Sequence, residues 1–349
     1  MQAMRSRLPA DVLFDDATPP PALPACDHYA GTEKLMRKSL ALQDALGPVF
    51  DLTLDCEDGA AVGDEAGHAR LVGALLAESR SGRVGVRIHD VGHPHWRDDL
   101  RLILAAGRAP AYVMLPKPRG ADEVRQAALA LHEISGAAGL PTPPLHALIE
   151  THGALREVDA IAALPAVESL SFGLMDFVSA HHGAIPAEAM ASPLQFEHPL
   201  VVRAKVAIAA ACHAHGKVPS HNVCTEVRDL SVVAADARRA RATLGFTRMW
   251  SIHPAQIEAI VAAFAPSEAE IDVAADIMTA ALKADFAPIR HGDRLHDRAS
   301  FRYYWTVLRR ARQSGMTVPA HAEALFARAP AHAAHAAHAA HAARAGDAT

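Results

Sequence analysis

The chain has 349 residues, half of them apolar and 21% charged, with a formal net charge of −5. It is long enough for one large domain or two smaller ones around a substantial core, and its charge gives no basic surplus for binding nucleic acid by counterion release. Cys26, Cys56, Cys212 and Cys224 lack metal-site spacing, and no apolar run has signal-peptide or membrane-span character, so a reduced, cytoplasmic protein with neither nucleic-acid nor membrane partners is expected.

Residues 1–25 are proline-rich and aperiodic and are expected to form an extended arm. A first strand is expected in PACDHYAG. EKLMRKSLALQDAL then repeats Leu35, Leu42 and Leu46 at helical spacing. VFDLTLDCED reads as a strand, residues 64–79 as a helix, GRVGVRIHD as a strand, and HWRDDLRLILAAG as a helix ended by Gly107. AYVMLPK is a strand and ADEVRQAALALHEISGAAG a helix. LHALIET and VESLSFG are strands on either side of a helix near 154–163. PLVVRAKVAIAAACHAHG is a helix ended by Gly216, followed by the short strand KVPSHN. TEVRDLSVVAADARRARATLG is a helix, RMWSIHP a strand, and SEAE at Ser267–Glu270 a capping box opening one more helix.

Strands and helices alternating at about 25–35 residues per unit describe a (β/α)8 TIM barrel over residues 26–287. An open doubly wound sheet is the competing arrangement, but LTLDCEDGA is not a glycine-rich nucleotide fingerprint. Residues 288–328 read as a C-terminal helical extension serving as a lid or oligomerisation segment. Residues 329–349 are a low-complexity Ala/His tail carrying His332, His335, His338 and His341.

Barrel active sites lie at the C-terminal strand ends. The polar residues there are Asp55, Glu57 and Asp58, Arg87, Lys117, Glu150, Asp176, Asn222 and His253. Glu150 and Asp176 end successive strands, so their carboxylates are expected to meet over the barrel mouth. Two such acids repel unless a proton or cation lies between them, and a hard divalent ion with oxygen ligands fits, Mg2+ or Mn2+. Each acid alone is equally suited to capping a helix. Arg87 suits either a substrate anion or an ion pair with Asp55, Glu57 or Asp58. Lys117 lies between two prolines and reads as solvated, His253 as orienting a helix start, and His181 and His182 as loop histidines with the chemistry for proton transfer.

FDLTLDCEDGAAVGDEAGHAR, VRIHD, YVMLPK, ALIETHGALREVDAIAALPAVESLSFGLMDF and WSIHPAQIEAIVAAFAPSEAEI, in that order, resemble the successive motifs of the HpcH/HpaI aldolase and citrate lyase β-subunit-like superfamily over residues 28–285. The resemblance implies a Mg2+-dependent carbon–carbon lyase acting through an enolate on a β-hydroxyacyl-CoA such as malyl- or citramalyl-CoA, with coenzyme A as part of the substrate. It implies Glu150 and Asp176 as metal ligands and substrate contacts, Arg87 as the arginine holding a substrate carboxylate or enolate oxygen, and Glu57 and Asp58 as acids beside the metal's waters. Asp297, with Asp293 as competitor, is the counterpart of a catalytic aspartate given by a neighbouring subunit, which implies a homo-oligomer, trimeric or hexameric. Two features depart from the family: ACDHYAGTEK lacks its arginine-serine pair and proline-glycine turn, and LMD stands where relatives carry alanine-glutamate-aspartate. These departures keep two other readings open, a pyruvate-type aldolase on a free hydroxy-keto acid without coenzyme A, and a non-catalytic barrel serving as a scaffold.

Overall fold

A computed structural model of the chain describes residues 8–14, 21–60 and 62–326. The histidine tail lies outside the described residues. The described residues fall into two compact units: those of Thr18–Ala265 with Gln313–Met316, and those of Met1–Ala17 with Pro266–Arg312 and Thr317–Thr349. The division thus falls at Pro266 rather than at the expected 287/288, and the helix opened by the Ser267 capping box groups with the C-terminal extension.

The larger unit is a closed barrel of eight parallel strands in sequential order: β1 (Cys26–Ala30), β2 (Phe50–Asp55), β3 (Val84–Arg87), β4 (Val113–Leu115), β5 (Leu145–Ile149), β6 (Val167–Phe172), β7 (Val218–His221) and β8 (Arg248–Ser251). β8 pairs back onto β1, Cys26 facing Met249, which closes the cylinder. The short helix α1 (Pro9–Val12) precedes the barrel, in the segment expected to be extended. The helices connecting successive strands are α2 (Glu33–Leu46), α3 (Glu65–Glu78), α4 (Trp96–Leu104), α5 (Ala121–Ala137), α6 (His152–Arg156), α7 (Val158–Ala162), α8 (Leu174–Ser179), α9 (Pro199–Ala214) and α10 (Leu230–Leu244), and α11 (Gln256–Phe264) follows β8. Among the described residues no helix is long and apolar enough to cross a membrane.

Local chemistry sets these boundaries. Thr32, Asp64 and Asp229 each accept a first-turn N–H with their side chains, and Gly245 closes α10 in the left-handed conformation. The helix expected at 154–163 is broken in two at Glu157, whose carboxylate accepts the Ala121 N–H at the start of α5 (2.9 Å). On α2 the leucines at helical spacing are covered unequally: Leu35 is 45% exposed, Leu42 and Leu46 pack half-buried on the core, and Met36, Ser39 and Gln43 face fully inward. Polar residues take that face because partners await them. Gln43 Nε2 donates to the Phe50 carbonyl (2.8 Å), and Ser39 Oγ pairs with His28 Nε2 (3.1 Å).

The main apolar core lies between strands and helices, with Phe50, Leu52, Leu54, Val86, Ile149 and Phe172 among its members. The barrel interior differs. Met114, Leu148 and Trp250 form a small apolar layer, with Tyr29 stacked on Trp250 at 4.4 Å. Near the N-terminal strand ends lies a charged layer: Arg248, fully buried, reaches Asp51 (2.7 Å) and Asp27 (3.5 Å), and Asp51 also takes a two-pronged bond from Arg83 (2.7 and 2.9 Å).

In the second unit, α12 (Glu268–Lys283) begins with the predicted capping box, both halves of which are formed. The hairpin β9 (Ile289–His291) and β10 (Arg294–His296) leads into α13 (Arg298–Gln313). The Leu13 carbonyl accepts from Arg302 Nε (2.5 Å), tying the N-terminal segment to α13.

Candidate active site

At the C-terminal ends of the strands a cavity of about 590 Å3 is lined by Lys117 and Arg119 after β4, Glu150 and His152 after β5, and Asp176 after β6, with Asp90 and His93 from the loop after β3. Glu150 follows the last residue of β5 and is 3% exposed. It does not cap the following helix; Thr151 does, its hydroxyl oxygen accepting the Ala154 N–H (3.0 Å). Glu150 Oε1 accepts instead from the backbone N–H of Lys117 (2.9 Å). Asp176 belongs to the first turn of α8 rather than to a strand end, because β6 stops at Phe172 and Gly173 intervenes. That glycine is required: a Cβ there would stand 2.1 Å from Glu150 Oε2.

Burial first, and then the charge of Asp176, push the Glu150 carboxyl up to about 8. The structure therefore brings together the two acids that the sequence singled out, close enough for one to hold the other's proton on. Among the described residues no cluster of three or more His, Cys, Asp or Glu is arranged around a metal position. Two carboxylates beside open space are what a hard divalent ion takes when it keeps waters or substrate oxygens in its other positions. The donor set fits Mg2+, which Glu150 and Asp176 would hold.

Lys117, which the sequence placed at a strand end but left solvated, is instead the organising residue of the site. Its φ of +48° is uncommon for a side chain with a Cβ, and Pro116 and Pro118 flank it. This turn delivers its N–H to Glu150 while its Nζ binds Glu57 and Asp58, the latter at 2.9 Å. Burial would lower the Lys117 ammonium, but its bonds to Glu57 and Asp58 prevail and raise it. Glu57 is pushed up by burial against the pull of Arg87 and Lys117. Asp58 is held down, burial notwithstanding, by Lys117. The two acids expected beside the metal's waters are thus joined to Glu150 through one lysine.

Arg87 is not among the residues lining the cavity. Its guanidinium forks onto Asp55 (2.7 and 2.5 Å), adds Glu57 (3.0 Å), and lies over the Tyr29 ring at 5.0 Å. This is the ion pair that the sequence had left open. Asp55 also accepts the N–H groups of Glu57 and Gly59 (both 2.9 Å), which makes the β2 loop and Arg87 one unit.

Asp297 sits in the C-terminal unit as the exposed N-cap of α13, accepting from Ala299 N (3.0 Å) and Ser300 N (3.3 Å). Its competitor Asp293 pairs with Arg290 (3.2 Å). Asn222 is drawn into a buried network through Gln195 (3.0 Å), His253 accepts the Ala255 N–H (3.3 Å), and His181 donates to the Phe177 carbonyl (2.7 Å). None of these is among the residues lining the cavity, nor is His182. His93 and His152 are, and the three histidines packed into HDVGHPHW were the only hint of the former.

Residues 38–254 match the family model described as HpcH/HpaI aldolase/citrate lyase. A crystal structure of a citrate lyase from Burkholderia xenovorans LB400 is 63% identical, covers 93% of this chain and 100% of its own, and gives a TM-score of 0.80. An L-malyl-CoA/beta-methylmalyl-CoA lyase of Cereibacter sphaeroides is 29% identical over 287 residues, 74% of this chain and 86% of its own. A (3S)-malyl-CoA thioesterase of the same species is 30% identical over 261 residues, 73% of this chain and 82% of its own. The chain is a lyase, a member of the HpcH/HpaI aldolase/citrate lyase family.

Proposed function

We propose that this protein is a Mg2+-dependent carbon–carbon lyase that cleaves a β-hydroxyacyl-CoA of the malyl-CoA or citramalyl-CoA type through an enolate. The observation that carries the reading is the pair formed by buried Glu150 and half-buried Asp176 on the wall of a cavity flanked by Lys117 and Arg119, close enough that the charge of Asp176 raises Glu150. The malyl-CoA lyase named above supports the substrate class. A crystal structure of CitE from Mycobacterium tuberculosis, 22% identical with a TM-score of 0.62, is described in complex with magnesium, acetoacetate and coenzyme A, and supports the metal and coenzyme A.

Cleavage removes the proton of the β-hydroxyl; the C–C bond breaks, its electrons passing to the acyl-CoA fragment as an enolate, and a 2-oxo acid departs. The enolate then takes a proton on carbon. Glu150 and Asp176 would hold the divalent metal, which would supply Lewis acidity toward the 2-oxo acid portion. Lys117 and Arg119 draw the substrate carboxylate to the cavity, Glu57 and Asp58 keep the Lys117 ammonium charged and aimed, and Arg87 serves by fixing Glu57. Asp297 of a neighbouring copy takes the hydroxyl proton in this reading, which makes the working enzyme a homo-oligomer.

The test is incubation of the full chain with malyl-CoA and Mg2+. The expected result is release of a 2-oxo acid and acyl-CoA, abolished by EDTA and restored by added Mg2+. Absence of 2-oxo acid, or release of free coenzyme A instead, would overturn the reading, the latter in favour of hydrolysis of the kind named for the thioesterase relative.

A further inference from the structure

The loop after β3 carries His89, His93 and His95 in seven residues, and a carboxylate of α4 is bonded to the first of them. Asp99 of α4, 1% exposed, accepts both the His89 backbone N–H (2.9 Å) and its Nδ1–H (2.7 Å), fixing that ring in place. His93 stacks on it face to face, centroids 4.0 Å apart and planes 11° from parallel. Asp90 stiffens the loop, its side chain accepting the Gly92 N–H (2.7 Å) and its carbonyl the His93 N–H (2.9 Å). His93 Nδ1 accepts the backbone N–H of His95 (3.3 Å), so the ring proton resides on Nε2. His93 lines the same cavity as Glu150 and Asp176.

Charge completes the picture. Burial works to lower His89, but its bond to Asp99 outweighs that and raises it; His93 is held below the ordinary histidine range by burial and then by the neighbouring His89. The titratable groups facing His93 are His89, Asp90 and His95 of its own loop and Asp99 of α4, with Lys117, Arg119, Glu150, His152 and Asp176 across the cavity. With Nδ1 occupied as an acceptor and its face against the His89 ring, His93 is left with Nε2–H as its hydrogen-bond donor. A neutral imidazole donor suits an uncharged carbonyl oxygen that gains charge during reaction, and not a carboxylate, which is better served by the lysine and arginine opposite.

We propose that His93 is a further catalytic residue of this cavity, donating through Nε2–H to the thioester carbonyl oxygen of the substrate as it becomes the enolate oxygen, with His89 and Asp99 as the positioning pair behind it. This inference rests on the lyase reading and assigns to the chain the donor that the acyl half of the substrate needs.

The experiment has two arms, both on the full chain. In the first, steady-state cleavage of malyl-CoA with Mg2+ is measured for His93→Phe, which keeps a ring stacked on His89 but no donor, and for His93→Gln, which supplies an amide N–H. Expected are a fall in kcat of about a hundredfold for His93→Phe with KM changed far less, and recovery of at least about a tenth of wild-type kcat by His93→Gln. A His93→Phe enzyme as fast as wild type, or a His93→Gln enzyme no better than His93→Phe, would overturn the proposal. The second arm needs no substrate: histidine ring NMR of the free protein is expected to show His93 neutral at pH 7 with its proton on Nε2, and its titration midpoint rising in His89→Gln. A His93 ring charged at pH 7, or protonated on Nδ1, overturns the proposal even if malyl-CoA proves not to be the substrate. A wild type inert toward malyl-CoA but with the expected NMR behaviour counts against the substrate alone.

Discussion

Glu150 is the residue on which the proposed metal dependence turns. A carboxyl pushed up to about 8 by burial and by Asp176 holds its proton where an unfolded glutamate has lost it. Between the ordinary carboxylate value and about 8 the folded state therefore binds more protons, and the metal-free protein loses stability as pH rises through that window. Glu150→Gln, which carries no charge, is expected to raise the melting temperature of metal-free protein at pH 8. Added Mg2+ should raise the melting temperature of wild type and not that of the variant. Equal Mg2+ shifts in both proteins would remove Glu150 as a ligand. The pair of acids was legible in the sequence because each follows an apolar strand. Lys117 was not, because its role arises from a positive φ that brings a backbone N–H to a carboxylate 33 residues away, and no spacing announces that.

At the scale of elements, the β6–α8 junction and the β1–α2 contact each rest on a small or polar residue. Gly173→Ala places a Cβ 2.1 Å from Glu150 Oε2, so the carboxylate must move. The expected outcome is a folded protein, by far-ultraviolet circular dichroism, that has lost its Mg2+-induced melting shift; retention of the full shift would show that the glycine is incidental. On β1, His28 lies between Ser251 (3.0 Å) and Ser39 (3.1 Å), and burial pulls it down to about 4. Its folded value is below its unfolded one, so stability is complete above pH 6.5 and is lost as pH falls from there toward 4, on the order of 3 kcal/mol. Urea titrations at pH 7 and pH 4.5 should show that loss in wild type and a smaller one in His28→Gln. The strands and their order could be read from the sequence, since each is a short apolar run at βα spacing. The buried face of α2 could not: beside Met36 it carries the polar Ser39 and Gln43, which are explained by the His28 ring and the Phe50 carbonyl that they meet.

For the whole molecule, the barrel is closed at the β8–β1 seam over a charged layer. Arg248→Met leaves Asp27 and Asp51 buried with less compensation, Arg83 alone remaining on Asp51, and is expected to cost about 3–5 kcal/mol in chemical denaturation. A loss below about 1 kcal/mol would mean that apolar replacement is tolerated there. The catalytic assembly has its own test. Asp297→Asn keeps an N-cap of equal quality for α13 while removing a proton acceptor. Under the proposed neighbour-to-neighbour arrangement, Asp297→Asn and Glu150→Gln proteins are each expected to be inactive, and a mixture re-equilibrated as oligomers to regain part of the wild-type rate. A mixture as inactive as its parents, or a protein that sediments strictly as a monomer, would exclude Asp297 acting across copies. The eight-fold alternation made the barrel readable from end to end. The division at Pro266 was not, because α12 has the same amphipathic, capped pattern as a barrel helix and only its grouping in space sets it apart.

The stack of Trp250 on Tyr29, with Arg87 lying over the same tyrosine, runs from the middle of the cylinder to its mouth. It amounts to an optical probe that the fold already contains. Of three tryptophans, Trp250 alone belongs to a strand of the barrel, so any shift of the Arg87, Asp55 and Glu57 group on ligand entry should register as a change in the emission of one indole, without a dye or a coupled assay.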